Sequence, residues 1–405
     1  VRFLLLNQFY APDIAPTGQV LHDVAVNLVS KGHTVTVICS NRSYDARTVY
    51  PPRETIAGVE VRRVGGLGWG RRGSLLRAVD FLAFYVLAAW RAAFLDARPD
   101  VVVALTTPPF IGLLARLLAR LWRCGRVQWV MDVYPDVLFA HGLVSERGFV
   151  AKCLRALARA EASGASLSLA LGPFMARRIG PYTTHSARVE WVPLWGEQPA
   201  EAAIHAIAAV RAERGWTDDE LVLMYSGNMG LGHRFGEFLT AARQLGPAGP
   251  RWAFAGAGKR RSEVEAFALA HPEARIQLLS YVPRERLRAS LASADVHLAS
   301  LDSRWQGMMV PSKLQGLFAV GRPVIFVGGR NNEIAAWIEE SGGGWVVAEG
   351  DVPGLLEAIT EARDPRQRGV RAAAALAYAR QHFDPQRNAE RVATLFAAAG
   401  RPNAP

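Results

Sequence analysis

The chain has 405 residues, 47 Lys+Arg against 36 Asp+Glu, and a formal net charge of +11. With 50% hydrophobic and 20% charged residues it cannot be a disordered chain, and its length suggests two domains rather than one. The three cysteines, Cys39, Cys124 and Cys153, form no CxxC pair, which argues against a disulfide framework or zinc cluster and for a reducing cytoplasm.

Taken in chain order, the first half alternates short apolar strands with amphipathic helices. Strands are expected at Arg2–Leu6, Thr34–Cys39, Val59–Val64, Val101–Leu105, Val127–Met131, Leu167–Leu171 and Val189–Val192. Helices are expected at Gly18–Ser30, Ser74–Leu95, Phe110–Arg123 and Glu146–Ser163. The opening run at residues 3–6 is short and leads into a polar loop, so it reads as a strand rather than a signal segment. This alternation predicts an α/β fold with a parallel sheet covered on both faces.

Pro193–Glu201 breaks the pattern, which then restarts. Leu221–Tyr225 is a strand that opens into SGNMGLGH (Ser226–His233) and a helix from about Phe235. Further strands follow at Trp252–Ala255, Arg275–Leu279, Val296–Ala299, Pro323–Val327 and Trp345–Val347, and Arg366–Ala399 is a helical tail split by Pro385. Two doubly wound domains bind ligands at the carboxyl ends of their strands, so a two-substrate enzyme is the natural expectation.

Two glycine-bearing turns each follow the first strand of a domain: Asn7–Val20, with Gly18 opening a helix, and Ser226–His233, with Gly227, Gly230 and Gly232. Glycines at a helix start expose backbone N–H groups suited to phosphate. Neither turn is GxGxxG or a Walker loop, which lowers the oxidoreductase and nucleotide-hydrolase readings. In VPSKLQGLFAVGRPVIFVGG (Val310–Gly329), Ser312 reads as an N-cap, and Lys313 stands in the first helical turn, where a cation opposes the dipole. A nearby anion would compensate it, and lysine is scarce in this chain: Lys31, Lys152, Lys259 and Lys313 are the only ones. In MDVYPD, at a strand's carboxyl end, Asp132 reads as a substrate-facing group and Asp136 as a turn carboxylate. No Asp-x-Asp pattern stands out, and no metal is expected.

The pairing of YSGNMGLGH with PSKLQGLFAVGRPVI resembles the retaining nucleotide-sugar glycosyltransferases of family four, which have the GT-B fold. Within them it resembles the bacterial enzymes that assemble cell-surface polysaccharides, including fucosamine-transferase-like members. NQFYAPDIAPTGQVLHDVAVNLVSKGHTVTVIC, WVMDVYPDVLFAHGLV and GWVVAEGD support this in the expected order. The resemblance implies two Rossmann-like domains facing across a cleft: 1–195 binds the acceptor, 196–382 binds the nucleotide sugar, and 383–405 is a helix packing back on the first domain. It implies transfer of a hexose or amino-sugar from a nucleoside diphosphate, UDP rather than GDP, to a lipid-linked polyprenyl-diphosphate acceptor. The enzyme would work on the cytoplasmic side of the inner membrane, with no cofactor beyond the nucleotide-sugar co-substrate.

By matching positions, Gly18, Gly227, Asn228, Gly230 and Ser312 fall at the donor, Arg234 and Lys313 neutralise the leaving diphosphate, and Asp132 orients the acceptor hydroxyl. Two glutamates usual in the family are replaced by Met308 and Gly316, and Glu333 is the candidate to stand in for one. A GT-B epimerase acting on a UDP-sugar is the alternative. A nucleic-acid-binding protein would also suit the basic charge, but no aromatic residues are interleaved with the basic ones in a reading motif.

A last expectation concerns an anionic membrane surface. The uninterrupted apolar run Phe81–Trp90 falls short of the roughly 20 residues a spanning helix needs. Arg71, Arg72 and Arg77 precede it, and Phe110–Arg126 carries Ile111, Leu114, Leu117, Leu118, Leu121 and Trp122 at helical spacing beside Arg116, Arg120 and Arg123. Basic residues beside a Trp-bearing apolar face suit docking without crossing, with Phe81 and Trp90 at the surface. Packing on the sheet is the competing reading for Phe110–Arg123.

Overall fold

The computed structural model describes residues 1–44, 48–66, 74–183, 188–196, 198, 200 and 202–400. The chain divides into two compact units, Val1–Pro193 with the C-terminal segment from Gln386, and Leu194–Pro385.

The first unit runs β1 (Arg2–Leu6), α1 (Pro16–Ser30), β2 (Thr34–Ser40), β3 (Arg53–Ile56), β4 (Val59–Val64), α2 (Ser74–Ala93) and β5 (Val101–Ala104). It continues with α3 (Gly112–Trp122), β6 (Gly125–Trp129), α4 (Asp136–Ala140), α5 (Phe149–Ala162), β7 (Leu167–Ala170), α6 (Pro173–Ile179) and β8 (Arg188–Trp191). The strand order is β3-β4-β2-β1-β5-β6-β7-β8. All pairs are parallel except the hairpin β3–β4. The apolar pattern misses β3 because RETI is a short, charged edge strand, the kind that resists further pairing.

Phe84, Ala88 and Ala92 of α2 join Leu114, Ala115 and Leu118 of α3 in one core cluster with Leu4, Leu6, Ile38, Val64 and Val102 of the sheet. Sheet packing therefore claims Ile111, Leu114 and Leu118, while Leu117 and Leu121 stay exposed. On α2, Trp90 and Arg77 are exposed, and Phe81 is half-buried rather than on the surface. Arg71 and Arg72 lie outside the described residues. No described helix is long and apolar enough to cross a membrane.

The second unit runs α7 (Ile204–Glu213), β9 (Val222–Ser226), α8 (Gly236–Leu245), β10 (Arg251–Ala255), α9 (Arg261–Ala270), β11 (Ile276–Leu279), α10 (Arg284–Ala292) and β12 (Val296–Leu301). Then come α11 (Lys313–Ala319), β13 (Val324–Gly328), α12 (Glu333–Ser341), β14 (Gly344–Val347), α13 (Val352–Arg363) and α14 (Pro365–His382). Its sheet, β11-β10-β9-β12-β13-β14, is parallel throughout. Tyr225, Phe235, Phe238, Trp252 and Phe254 fill the core beneath the strand ends. The last helix, α15 (Pro385–Ala399), sets Phe396 edge-on against Trp129 at 5.6 Å and so completes the first unit's core.

Candidate active site

In the second unit, β9 is buried up to Tyr225, and Gly227 then turns the chain at φ +128°, a conformation open to glycine alone. The turn after β10, AGAG (Ala255–Gly258), lies against it, with Gly256 and Gly258 also at positive φ. Three backbone bonds join the two turns: Gly227 N–H to Ala255 O (2.9 Å), Met229 N–H to Ala257 O (2.7 Å) and Arg260 N–H to Met229 O (3.0 Å). Fully buried Met229 anchors the loop. The N–H groups of Asn228 and Gly230 have no acceptor among the described residues.

Lys313, the first residue of α11, reaches this turn. Its Nζ donates to the Tyr225 hydroxyl and to the Asn228 carbonyl (3.2 Å), lies 3.4 Å from His233 Nε2, and sits 3.9 Å from the centre of the Tyr225 ring. His233 Nδ1 is 2.7 Å from the Ser300 carbonyl. That contact needs a proton on Nδ1, which leaves the Nε2 lone pair facing the ammonium. Burial, and then the Lys313 charge, lower the imidazole pKa to about 3. Burial also pulls the Lys313 pKa well below its ordinary value. The ammonium pairs with no carboxylate among the described residues, so an anion arriving at the turn would favour its charged form.

Around this centre the other expected donor residues differ in standing. Ser312 takes the N-cap position of α11, but its hydroxyl caps nothing and is exposed. Met308 is buried, and a Cβ on Gly316 would meet open space, so the room for the missing carboxylate is still present. Glu333 is buried in the first turn of α12, where a carboxylate complements the dipole.

Arg234 stands among carboxylates. Its guanidinium bonds to Glu237 (Nη2–Oε1 2.5 Å) and lies 3.8 Å from both Asp302 and Glu349. A cation compensated by three carboxylates has little net charge to offer a phosphate. It lines an open recess of about 480 Å³ with Arg260, Asp302 and Arg304.

In the first unit Gly18 lets α1 close on its own loop: a Cβ there would come within 3.1 Å of the Phe9 carbonyl and Tyr10 Cα. Just beyond β6, the N–H groups of Met131 and Asp132 donate to Thr106 Oγ1 (3.1 Å each) and fix the turn. The Asp132 carboxylate accepts no hydrogen bond among the described residues, and burial raises its pKa to about 6. Asp136, by contrast, is spent on Arg178 (2.8 Å) and the Tyr182 hydroxyl (2.5 Å). Asp132 lines a small, partly open pocket of about 20 Å³ with Gln128, Glu161, Ser168 and Tyr182, which is room for one water. The Ser168 hydroxyl in it is buried and unpartnered.

Glu161 accepts the Gly112 N–H at 2.8 Å, and burial raises its pKa from 4.5 to about 7. The folded state thus holds this proton more tightly than the unfolded chain, and stability falls as pH rises from about 4.5 through 7. Glu161→Gln keeps the acceptor oxygen and removes the charge. The variant should be more stable than the parent at pH 8, by up to about 3 kcal/mol, and equal to it at pH 4. Urea unfolding at the two pH values checks this, and a variant weaker at both would refute it.

Residues 17–195 match the family described as a glycosyl transferase 4-like domain, and residues 220–364 match that described as glycosyl transferases group 1. The chain is a glycosyltransferase of family four. The probable glycosyltransferase WbjE of Pseudomonas aeruginosa is 25% identical over 264 residues, 65% of this chain and 66% of that protein. The putative colanic acid biosynthesis glycosyl transferase WcaI of Escherichia coli (strain K12) is 22% identical over 377 residues, 89% of this chain and 92% of that one. WaaG, a glycosyltransferase involved in lipopolysaccharide biosynthesis, shares the fold with a TM-score of 0.69 at 18% identity, over 98% of this chain and 99% of that one. So does Anabaena Alr3699/HepE in complex with UDP-glucose, at 0.70 and 14% over the same shares.

In this glycosyltransferase, sequence reasoning missed Tyr225 as a partner of Lys313 and the AGAG turn that backs the Gly227 loop. The AGAG run directly after the apolar WAFA is a signal that could have revealed the second turn. Tyr225 carries none, since a strand tyrosine reads as core.

Proposed function

We propose that this glycosyltransferase moves a hexose or amino-sugar from a UDP-sugar to a lipid-linked, polyprenyl-diphosphate acceptor, with retention and without a divalent metal. Its place would be cell-surface polysaccharide synthesis on the cytoplasmic face of the inner membrane. The observation that carries the donor part is the Lys313 ammonium, held by neutral groups beside the Gly227–Gly230 turn. A departing diphosphate gathers negative charge, and fixed cations and N–H dipoles stabilise it best. Lys313 and the N–H groups of Asn228 and Gly230 are such groups. Tyr281 is 59% exposed beside Gly256, where a Cβ would lie 3.3 Å from its ring, and offers a face for stacking uracil.

In the proposed transfer the C1–O bond to the diphosphate breaks as the acceptor oxygen bonds to C1 on the same face. The hydroxyl proton passes to the departing phosphate oxygen, and Asp132 orients that hydroxyl. The relatives' roles in colanic acid and lipopolysaccharide synthesis support the polysaccharide reading, and the UDP-glucose complex of HepE supports UDP. UDP at about a hundredfold excess over Kd should raise the melting temperature by roughly 5–10 °C. NAD and ATP should do little, and EDTA should leave the UDP shift intact. A shift with NAD alone would overturn the transferase reading, and a UDP shift lost in EDTA would overturn metal independence.

A further inference from the structure

The loop that leads from β5 into α3 holds a backbone conformation that its residue does not favour. Ile111 N–H donates to the Pro108 carbonyl (3.3 Å) and closes a four-residue turn in which Phe110 has φ +65°. That position normally takes glycine, and an aromatic residue there is strained. Such strain persists only where the surroundings enforce it, and it gathers at binding sites. Here the enforcement comes from three sides. Leu113 N–H donates to the Phe110 carbonyl (3.0 Å), Gln8 N–H donates to the Thr107 carbonyl (2.7 Å), and the Tyr85 hydroxyl of α2 donates to the Pro109 carbonyl. Core packing does not account for the ring, which is half-buried and outside the core cluster that Phe84 and Leu114 share. It lies instead against Tyr134, with ring centres 6.1 Å apart and planes tilted by 55°. Tyr134 is half-buried too and lines the same small pocket as Asp132. Burial, and then the Asp132 charge, raise the pKa of its hydroxyl, so phenol and carboxylate stand within electrostatic reach.

We propose that Phe110 and Tyr134 form an aromatic wall that takes the C–H face of a pyranose ring on the acceptor, beside the Asp132 carboxylate. A sugar is amphipathic: one ring face is mostly C–H, while hydroxyls project from its rim. The C–H hydrogens carry partial positive charge and suit the negative face of an aromatic ring. A carboxylate that no protein group engages suits the hydroxyls, which make strong hydrogen bonds to it. Half-exposed aromatic rings with one convergent polar group are the composition of a small-molecule site. An isoprenoid chain would use the rings but would strip water from the carboxylate and offer it no donor. The occupant is therefore a sugar, and the acceptor accordingly ends in a sugar ring. This inference rests on the reading of Asp132 as the acceptor group, and it adds which part of the acceptor lies there.

Saturation-transfer difference NMR tests it, with the aromatic protons irradiated and methyl glucoside, galactoside, mannoside and fucoside as probes. Ring C–H protons of at least one probe should be saturated, those of one face more strongly than those of the other. Phe110→Ala should lower that signal at least about fivefold, and Phe110→Tyr should keep it. Phe110→Gly accepts the positive φ without strain, so it should unfold at a higher urea midpoint than Phe110→Ala and still lose the signal. The two variants together separate a lost contact from a lost fold. Saturation of farnesyl phosphate in place of every sugar, saturation of no probe at all, or an undiminished signal in Phe110→Ala would each overturn the proposal. A UDP thermal shift with no sugar saturation would remove this inference alone. Sugar saturation with no UDP shift would leave the wall standing and remove the donor reading.

Discussion

Lys313→Ala should lower kcat/KM for the nucleotide sugar by roughly 10²–10³-fold, the scale of losing one preorganised electrostatic contact in the transition state. The loss should fall mainly on kcat, because charge on the diphosphate grows as the bond to sugar breaks. Lys313→Arg should not restore the rate: its planar fork cannot fit the site between the Tyr225 hydroxyl, the Asn228 carbonyl and His233 Nε2. Folding should respond little to Lys313→Ala. The side chain is half-buried and packs its stem against Gly227, where a Cβ would lie 2.7 Å from Cε. Alanine there leaves a gap beside the turn but also removes an ammonium that burial disfavours, so the two effects oppose each other. Urea unfolding should place the variant within about 1–2 kcal/mol of the parent. Parental turnover in Lys313→Ala would remove the lysine from the mechanism.

That lysine was legible in the sequence because it is one of only four in an arginine-rich chain and follows a helix-start pattern. The alternation of strands and helices was legible for a similar reason: parallel strands buried on both faces read as continuous apolar runs. The acidic setting of Arg234 was not legible because its three carboxylates arrive from separate places. Glu237 is one turn along α8, whereas Asp302 and Glu349 follow β12 and β14 and meet it only through the order of strands in the sheet. Composition alone reveals that α2 is apolar. Which side of it stays exposed depends on the register with which Phe84 and Ala88 seat on the sheet. Asp136 and Asp132 lie four residues apart in the same motif and are equally ordinary as letters. Only the fold shows that Arg178 and Tyr182 take up one and leave the other without a partner.

Asp132→Asn should lower kcat/KM for the acceptor by roughly a hundredfold, the usual cost of losing the group that holds a reacting hydroxyl in line. Asparagine keeps the shape and can still accept one hydrogen bond, but it has no charge with which to draw the hydroxyl toward the carboxylate. The pH dependence separates this role from a structural one. Burial sets the Asp132 pKa at about 6, so the parent should gain activity as pH rises through about 6 and ionises the group. In Asp132→Asn that limb should vanish and leave a flat, low rate over the same range. Stability should respond in the opposite direction. The folded pKa is raised, so the parent loses stability as pH rises from about 4 through 6, while the variant has no charge to bury and should not. The proposed donor site lies in the other unit, and the UDP shift should be unchanged. If the variant retained the parental limb near pH 6, Asp132 would not be the acceptor group, whatever its effect on rate.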